Sequence, residues 1–147
     1  MFMKKTFCWE PTLGQATCLI RYKDVEIIGS AQCHDDDEDF MSERTGMFIA
    51  ESRANIALWQ HMKNNEIKPQ IQVLEHVMAS WRNSKNYNPA SFEAKSLRNQ
   101  IKAKTRDYNE LKHRIAMEQE YLRDYIKNKE IVHNKLRNRA AMKDNNN

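Results

Sequence analysis

Glycine, proline and cysteine are scarce in this chain, three of each among 147 residues. Gly14, Gly29 and Gly46 lie far apart, so no glycine-rich loop is available to cradle a phosphate. Neither a G-x-S-x-G nucleophile elbow nor an H-E-x-x-H zinc helix occurs. So few glycines and prolines favour long helices over a loop-rich fold. Cys8, Cys18 and Cys33 are odd in number and irregularly spaced, which argues against a disulfide framework and for a reducing compartment. No stretch approaches the ~20 apolar residues that span a bilayer. The opening MFMKKTFCWEPTLG has two lysines but no apolar segment behind them, so a signal peptide is not expected. A soluble, cytoplasmic protein without a membrane partner is the expectation.

Charge is what the chain does have. Charged residues make up 30% and the mean hydropathy is −0.87, poor for a compact monomer of one domain. The net charge of +4 conceals an asymmetry. Residues 1–89 carry ten Lys and Arg against twelve Asp and Glu, whereas residues 90–147 carry fourteen against eight. The basic half is where an anionic partner belongs.

The strand signal is QATCLIRYKDVEIIGSAQC, residues 15–33. With Lys23-Asp24 at a turn, Tyr22 faces Val25, Ile20 faces Ile27, Cys18 faces Gly29 and Ala16 faces Ala31. All eight fall on one face, because strand side chains alternate. Residues 2–9 are a candidate third strand, since a lone hairpin is marginal.

A helix follows to about Asn65, with Ser42 as its N-cap. Gly46, Ala50, Ala54 and Ala57 make a seam of small residues that lets it approach Gly29 and Ala31, flanked by Met47, Leu58 and Met62. Pro69 suits the first turn of another helix, with Ile71, Leu74, Val77, Met78 and Trp81 as its apolar face. Asn88-Pro89 then reads as the cap and first residue of a last helix.

That last helix has a heptad pattern. Ala94, Ile101, Tyr108, Ile115, Leu122, Lys129 and Leu136 fall at a. Leu97, Lys104, Leu111, Glu118, Tyr125, Val132 and Arg139 fall at d. Ten of these fourteen positions are apolar. The pattern predicts a coiled-coil-like helix that needs a partner, another protein or most simply a second copy paired over Ala94 to Leu136. A break near Asn99 to Asn109 that folds it into a helical hairpin is the alternative. The expected fold is α+β: an N-terminal hairpin or three-stranded antiparallel sheet packed by two helices, then the long helix. Residues 1–83 form the small domain, 84–89 a linker, 90–142 the helix and 143–147 an unstructured tail.

Two charged stretches are candidate sites. Five acids, Asp35 to Asp39, follow Cys33-His34. An EF-hand loop started at Asp35 has Phe40 at its glycine position and Gly46 at its final ligand, so calcium fails. Zinc would need converging Cys and His, and His61, His76, His113 and His133 stand singly. Consecutive carboxylates point in different directions and cannot all converge on a metal pair. No metal, cofactor or catalytic set is expected, and the chain does not read as an enzyme. The acids suit a strand-to-helix turn, or a patch of Asp35, Asp36, Asp37 and Asp39 that docks a basic surface.

The basic candidate is Lys95, Arg98, Lys102 and Arg106, with Asn99 and Asn109 beside them. Four-residue spacing puts these on one stripe able to grip phosphates of a nucleotide or a nucleic acid. A solvated coiled-coil face is the plain alternative. Phe92, Tyr87 and Tyr108 are too few to suggest base stacking along the stripe.

The run GSAQCHDDDEDFMSERTGMFIAESRANI, residues 29–56, resembles a short motif of small accessory proteins in phages and prophages of Gram-positive bacteria. Gly29, Ala31, Cys33, Asp36-Asp37, Asp39, Ser42, Gly46, Ile49-Ala50 and Arg53-Ala54 carry the resemblance. It covers about a fifth of the chain. It implies a phage protein of a group in which host-defence antagonists are common. The expected function is therefore a non-enzymatic inhibitor binding a host defence protein or a nucleotide signal. A nucleic-acid-binding protein and a structural coiled-coil adaptor are the alternatives.

Overall fold

A computed structural model describes residues 3–32 and 43–145. The described residues fall into two compact units, one within Met1–Leu58 and Met117–Asn147 and the other Trp59–Ala116. The α+β class holds: a three-stranded antiparallel sheet is followed by helices, the last of them long.

In the first unit, strands β1 (Lys4–Glu10), β2 (Gln15–Tyr22) and β3 (Val25–Gln32) pair in the order β1-β2-β3. The register of β2 with β3 is the expected one, Tyr22 with Val25 through Ala16 with Ala31. Lys23 takes a φ of 52°, a first-position left-handed turn that a two-residue hairpin demands. Ala16, Cys18, Ile20, Tyr22, Ile27 and Ala31 are buried, as the alternation requires.

Helix α1 (Glu43–His61) covers this face through its small residues. A Cβ placed on Gly29 would collide with the Ala50 carbonyl oxygen and the Ala54 amide nitrogen, and would lie 2.8 Å from Ala54 Cα. Only glycine permits so close an approach. Gly29, Ala31, Gly46, Ile49, Ala50 and Ala54 are all buried. Burial also pushes the Cys18 thiol up from its ordinary 9.0, helped by the Glu51 carboxylate and opposed by Lys5.

The expected gap between the helix ending near Asn65 and the one starting at Pro69 is not there. α1 runs through a π-helical segment, Met62–Ile67, straight into α2 (Lys68–Arg82). The Lys68 amide donates to the Lys63 carbonyl, the wide five-residue step of a π turn. Pro69 explains the widening: its ring would crowd the carbonyl four residues back, and it has no N–H to give. Proline in the first turn of α2 is as expected, whereas the expected break before it is absent.

α3 spans Phe92–Asn145, about 80 Å at 1.5 Å per residue. It begins later than Asn88-Pro89 suggests. The Ser91 hydroxyl accepts from the Ala94 amide at 3.2 Å and is the cap, while Asn88 Oδ1 takes the Ala90 amide at 3.0 Å within the preceding turn. At the other end α3 continues through residues 143–145, expected as tail.

Much of the heptad seam of α3 is covered by the chain's own helices. In the second unit α2 and the π segment lie antiparallel to residues 92–116, with Lys63 over the Tyr108 ring at 5.6 Å and Arg114 over Trp59 at 5.4 Å. In the first unit α1 lies antiparallel to the later part of α3, where Phe48 meets Tyr125 with ring centroids 4.3 Å apart. Ala94, Leu97, Leu111, Ile115 and Leu122 are buried, and Ile101, Tyr108 and Tyr125 half-buried. Covering so long a seam takes a long packing partner. An almost unbroken helical run from Glu43 to Arg82 supplies the length. Only Val132 and Leu136, 54% and 57% exposed, still present the seam to solvent.

Candidate anion-binding cleft

The cleft lies in the second unit, between α2 and the first turns of α3. Glu75, Met78, Ala79 and Arg82 recur at three, one and three residues on α2, which puts them on one face. Arg98, Ile101 and Lys102 do the same on α3. Together these seven residues line a cavity of about 470 Å³. Met78 is buried and Ile101 half-buried, so the wall is apolar. Arg82, Arg98 and Lys102 put three cations around it, and Glu75 is the one carboxylate.

The guanidinium of Arg98 is held in place. Its Nη2 donates to the Pro89 carbonyl at 2.6 Å, tying it to the turn that Ser91 closes. This leaves other guanidinium N–H groups able to donate to a bound oxyanion. A planar fork fixed on one side loses less entropy on binding than a mobile lysine.

Of the sequence-predicted residues, the structure brings Arg98 and Lys102 to this cavity. Lys102, Arg106 and Asn109 line a shallower groove of about 570 Å³ running on along α3, with Thr105, Glu110 and His113. The two share Ile101 and Lys102, so they form one continuous surface. Lys95 and Asn99 are exposed on the same side of the helix. The predicted acidic patch, Asp35, Asp36, Asp37 and Asp39, lies outside the described residues.

Sequence reading missed Arg82 and Glu75. Their signal was present but weak: the polar partners of Met78 on α2 stand at helical spacing from it. Which face of α2 would meet the basic stripe could not be read from either helix alone.

Among the described residues no group of three or more His, Cys, Asp or Glu could hold a metal ion. No helix among them is long and apolar enough to cross a membrane. Searches with the chain returned no matching family model, no similar curated protein and no similar solved structure.

Proposed function

We propose that this protein is a non-enzymatic binder that takes a phosphate-bearing ligand with a flat, partly apolar body, a nucleotide signal, in the α2–α3 cleft. The observation that carries the reading is the convergence of Arg82, Arg98 and Lys102 on an apolar-walled cavity. Arginine forks match phosphate oxygens bidentately. Met78 and Ile101 offer a surface for the face of a base, and Glu75 can accept from an exocyclic amino group. A volume of about 470 Å³ lies within the range that small-molecule sites occupy, ~300–1,000 Å³.

In the setting that the phage-protein resemblance implies, holding such a nucleotide inhibits a host defence component in the host-cell cytoplasm. A nucleic-acid reading is favoured by one observation. The groove of Lys102, Arg106 and Asn109 is open and continuous with the cleft, so it fits an extended phosphate backbone. A protein target for the cleft, and a structural adaptor role through Val132 and Leu136, are the further readings.

Expression in bacteria carrying a nucleotide-signalled defence system tests the proposal. Phage plaquing should be restored by the wild-type chain and not by the Arg82→Glu, Arg98→Glu double variant. Equal rescue by both would overturn it.

A further inference from the structure

The two edges of the sheet are finished differently. A two-residue turn makes Tyr22 and Val25 a hydrogen-bonded pair, so alternate residues of β2 from Tyr22 back to Ala16 point their N–H and C=O at β3. Arg21, Leu19, Thr17 and Gln15 then serve β1. Their partners there are Lys4, Thr6, Cys8 and Glu10. Lys5, Phe7 and Trp9 are left with N–H and C=O directed away from the sheet. The same alternation turns the Ser30 carbonyl outward on β3, and there Arg53 Nη1 donates to it at 2.7 Å. Among the described residues no side chain does the same for Lys5, Phe7 or Trp9.

β1 is also the exposed strand. Phe7, on the helix-covered side of the sheet, is 41% exposed. It opens onto an apolar groove of about 600 Å³ with Met47 and Phe48, rimmed by Glu43, Arg44 and Glu51. An unprotected edge beside an apolar groove is a template for another strand.

We propose that this strand is β1 of a second copy, paired antiparallel about a two-fold axis through Phe7. Charge selects that occupant and that register. KKTFCWE runs from basic to acidic. The two-fold therefore sets Lys4 opposite the partner's Glu10, and Glu10 opposite the partner's Lys4. Lys5, whose Nζ pairs with Glu51 at 2.9 Å within the chain, falls opposite the partner's Trp9. Phe7 meets the partner's Phe7, one ring over each groove. The outward-pointing residues Lys5, Phe7 and Trp9 are the ones that this register hydrogen-bonds to one another. Sliding by one or more residues breaks the Lys4–Glu10 match or that alternation, and a parallel pair would oppose like charges. Thr12 donates to the Glu10 carboxylate through its hydroxyl and its amide, lowering its pKa from the ordinary 4.5 and keeping it charged. The result is one continuous six-stranded sheet built from two chains.

Light scattering and sedimentation of the full chain at micromolar concentration test this directly, and a dimer is expected. Phe7→Pro removes an outward N–H while leaving every β1–β2 bond, so it should give a monomer with unchanged far-UV circular dichroism. Lys4→Glu and Glu10→Lys should each raise the dimer dissociation constant at least about tenfold, a modest like-charge effect made twice by symmetry. The double swap should restore it. Cys8 and the partner's Cys8 become diagonal neighbours, about 7–8 Å apart at Cα, within reach of a short bismaleimide. A wild-type monomer, as when an extended segment of another protein is the true occupant, would overturn the proposal. So would a dimer indifferent to both charge reversals, which decides the matter if Phe7→Pro fails to fold. Nucleotide binding by the cleft stands apart from either outcome.

Discussion

The hydroxyl of Ser52 donates to Glu118 Oε1 at 2.7 Å, joining a buried serine of α1 to a half-buried carboxylate of α3. Glu118 occupies a d position of the heptad, where an apolar residue is the rule. The bond explains why a charged side chain is tolerated on that seam.

Ser52→Ala should therefore cost about 1–3 kcal/mol, because it leaves the carboxylate without its partner. Glu118→Leu in the same background should recover most of that loss, since two apolar residues then face one another. Thermal melting of the two single variants and the double variant measures the coupling. At about 2–4 °C per kcal/mol for a chain of this size, the difference is readily seen. Strict additivity of the two changes would show that the bond has no role.

Gly29→Ala should destabilise the first unit more than an ordinary core overpacking, about 1–3 kcal/mol. The added methyl meets the backbone of Ala50 and Ala54, which cannot move aside as a side chain can. Chemical denaturation should show a lower midpoint, and an unchanged midpoint would mean that α1 does not lie against β3.

Much of this unit was legible beforehand. Alternation between Ala16 and Ala31 set the register, and the spacing of Gly46, Ala50 and Ala54 announced a close helix. The α3 seam was legible as a pattern but not as to its partner. Apolar residues at a and d state that something covers them and not whether it comes from the same chain. Pro69 obscured the answer, because it reads as the start of a new helix when the π segment carries the chain through. The cleft was half legible for a related reason. Arg98 and Lys102 share a stripe on one helix, whereas Arg82 joins them only through the packing of α2 on α3.

Cys18 should resist thiol reagents in the folded protein, and Cys8 should react at once. Cys18 is buried and Cys8 exposed. A Cys33→Ser background limits the experiment to these two. Burial raises the Cys18 pKa, so its contribution to stability is complete below the ordinary thiol value of 9.0 and falls as pH rises from there through the folded value. Wild type should thus lose stability above about pH 9 more steeply than Cys18→Ala. Parallel pH profiles would remove the burial argument.

Ile101→Glu should weaken ligand binding without changing the fold. The residue is half-buried in the wall shared by the cleft and its continuing groove, and a carboxylate there opposes an anion. Retained affinity with normal melting would move the ligand out of this cavity.

The cleft itself is tested most directly by isothermal titration of the full chain with purine mononucleotides, linear dinucleotides and cyclic dinucleotides. Saturable binding of at least one of them, one per chain, is the predicted result. Arg82→Glu with Arg98→Glu should weaken it by at least about tenfold, since each charge-assisted bond contributes roughly 1.5–3 kcal/mol. Lys127→Glu, far along α3, should leave it unchanged. No heat of binding with any nucleotide, or affinity equal in the wild type and the double arginine variant, would contradict a nucleotide-binding cleft.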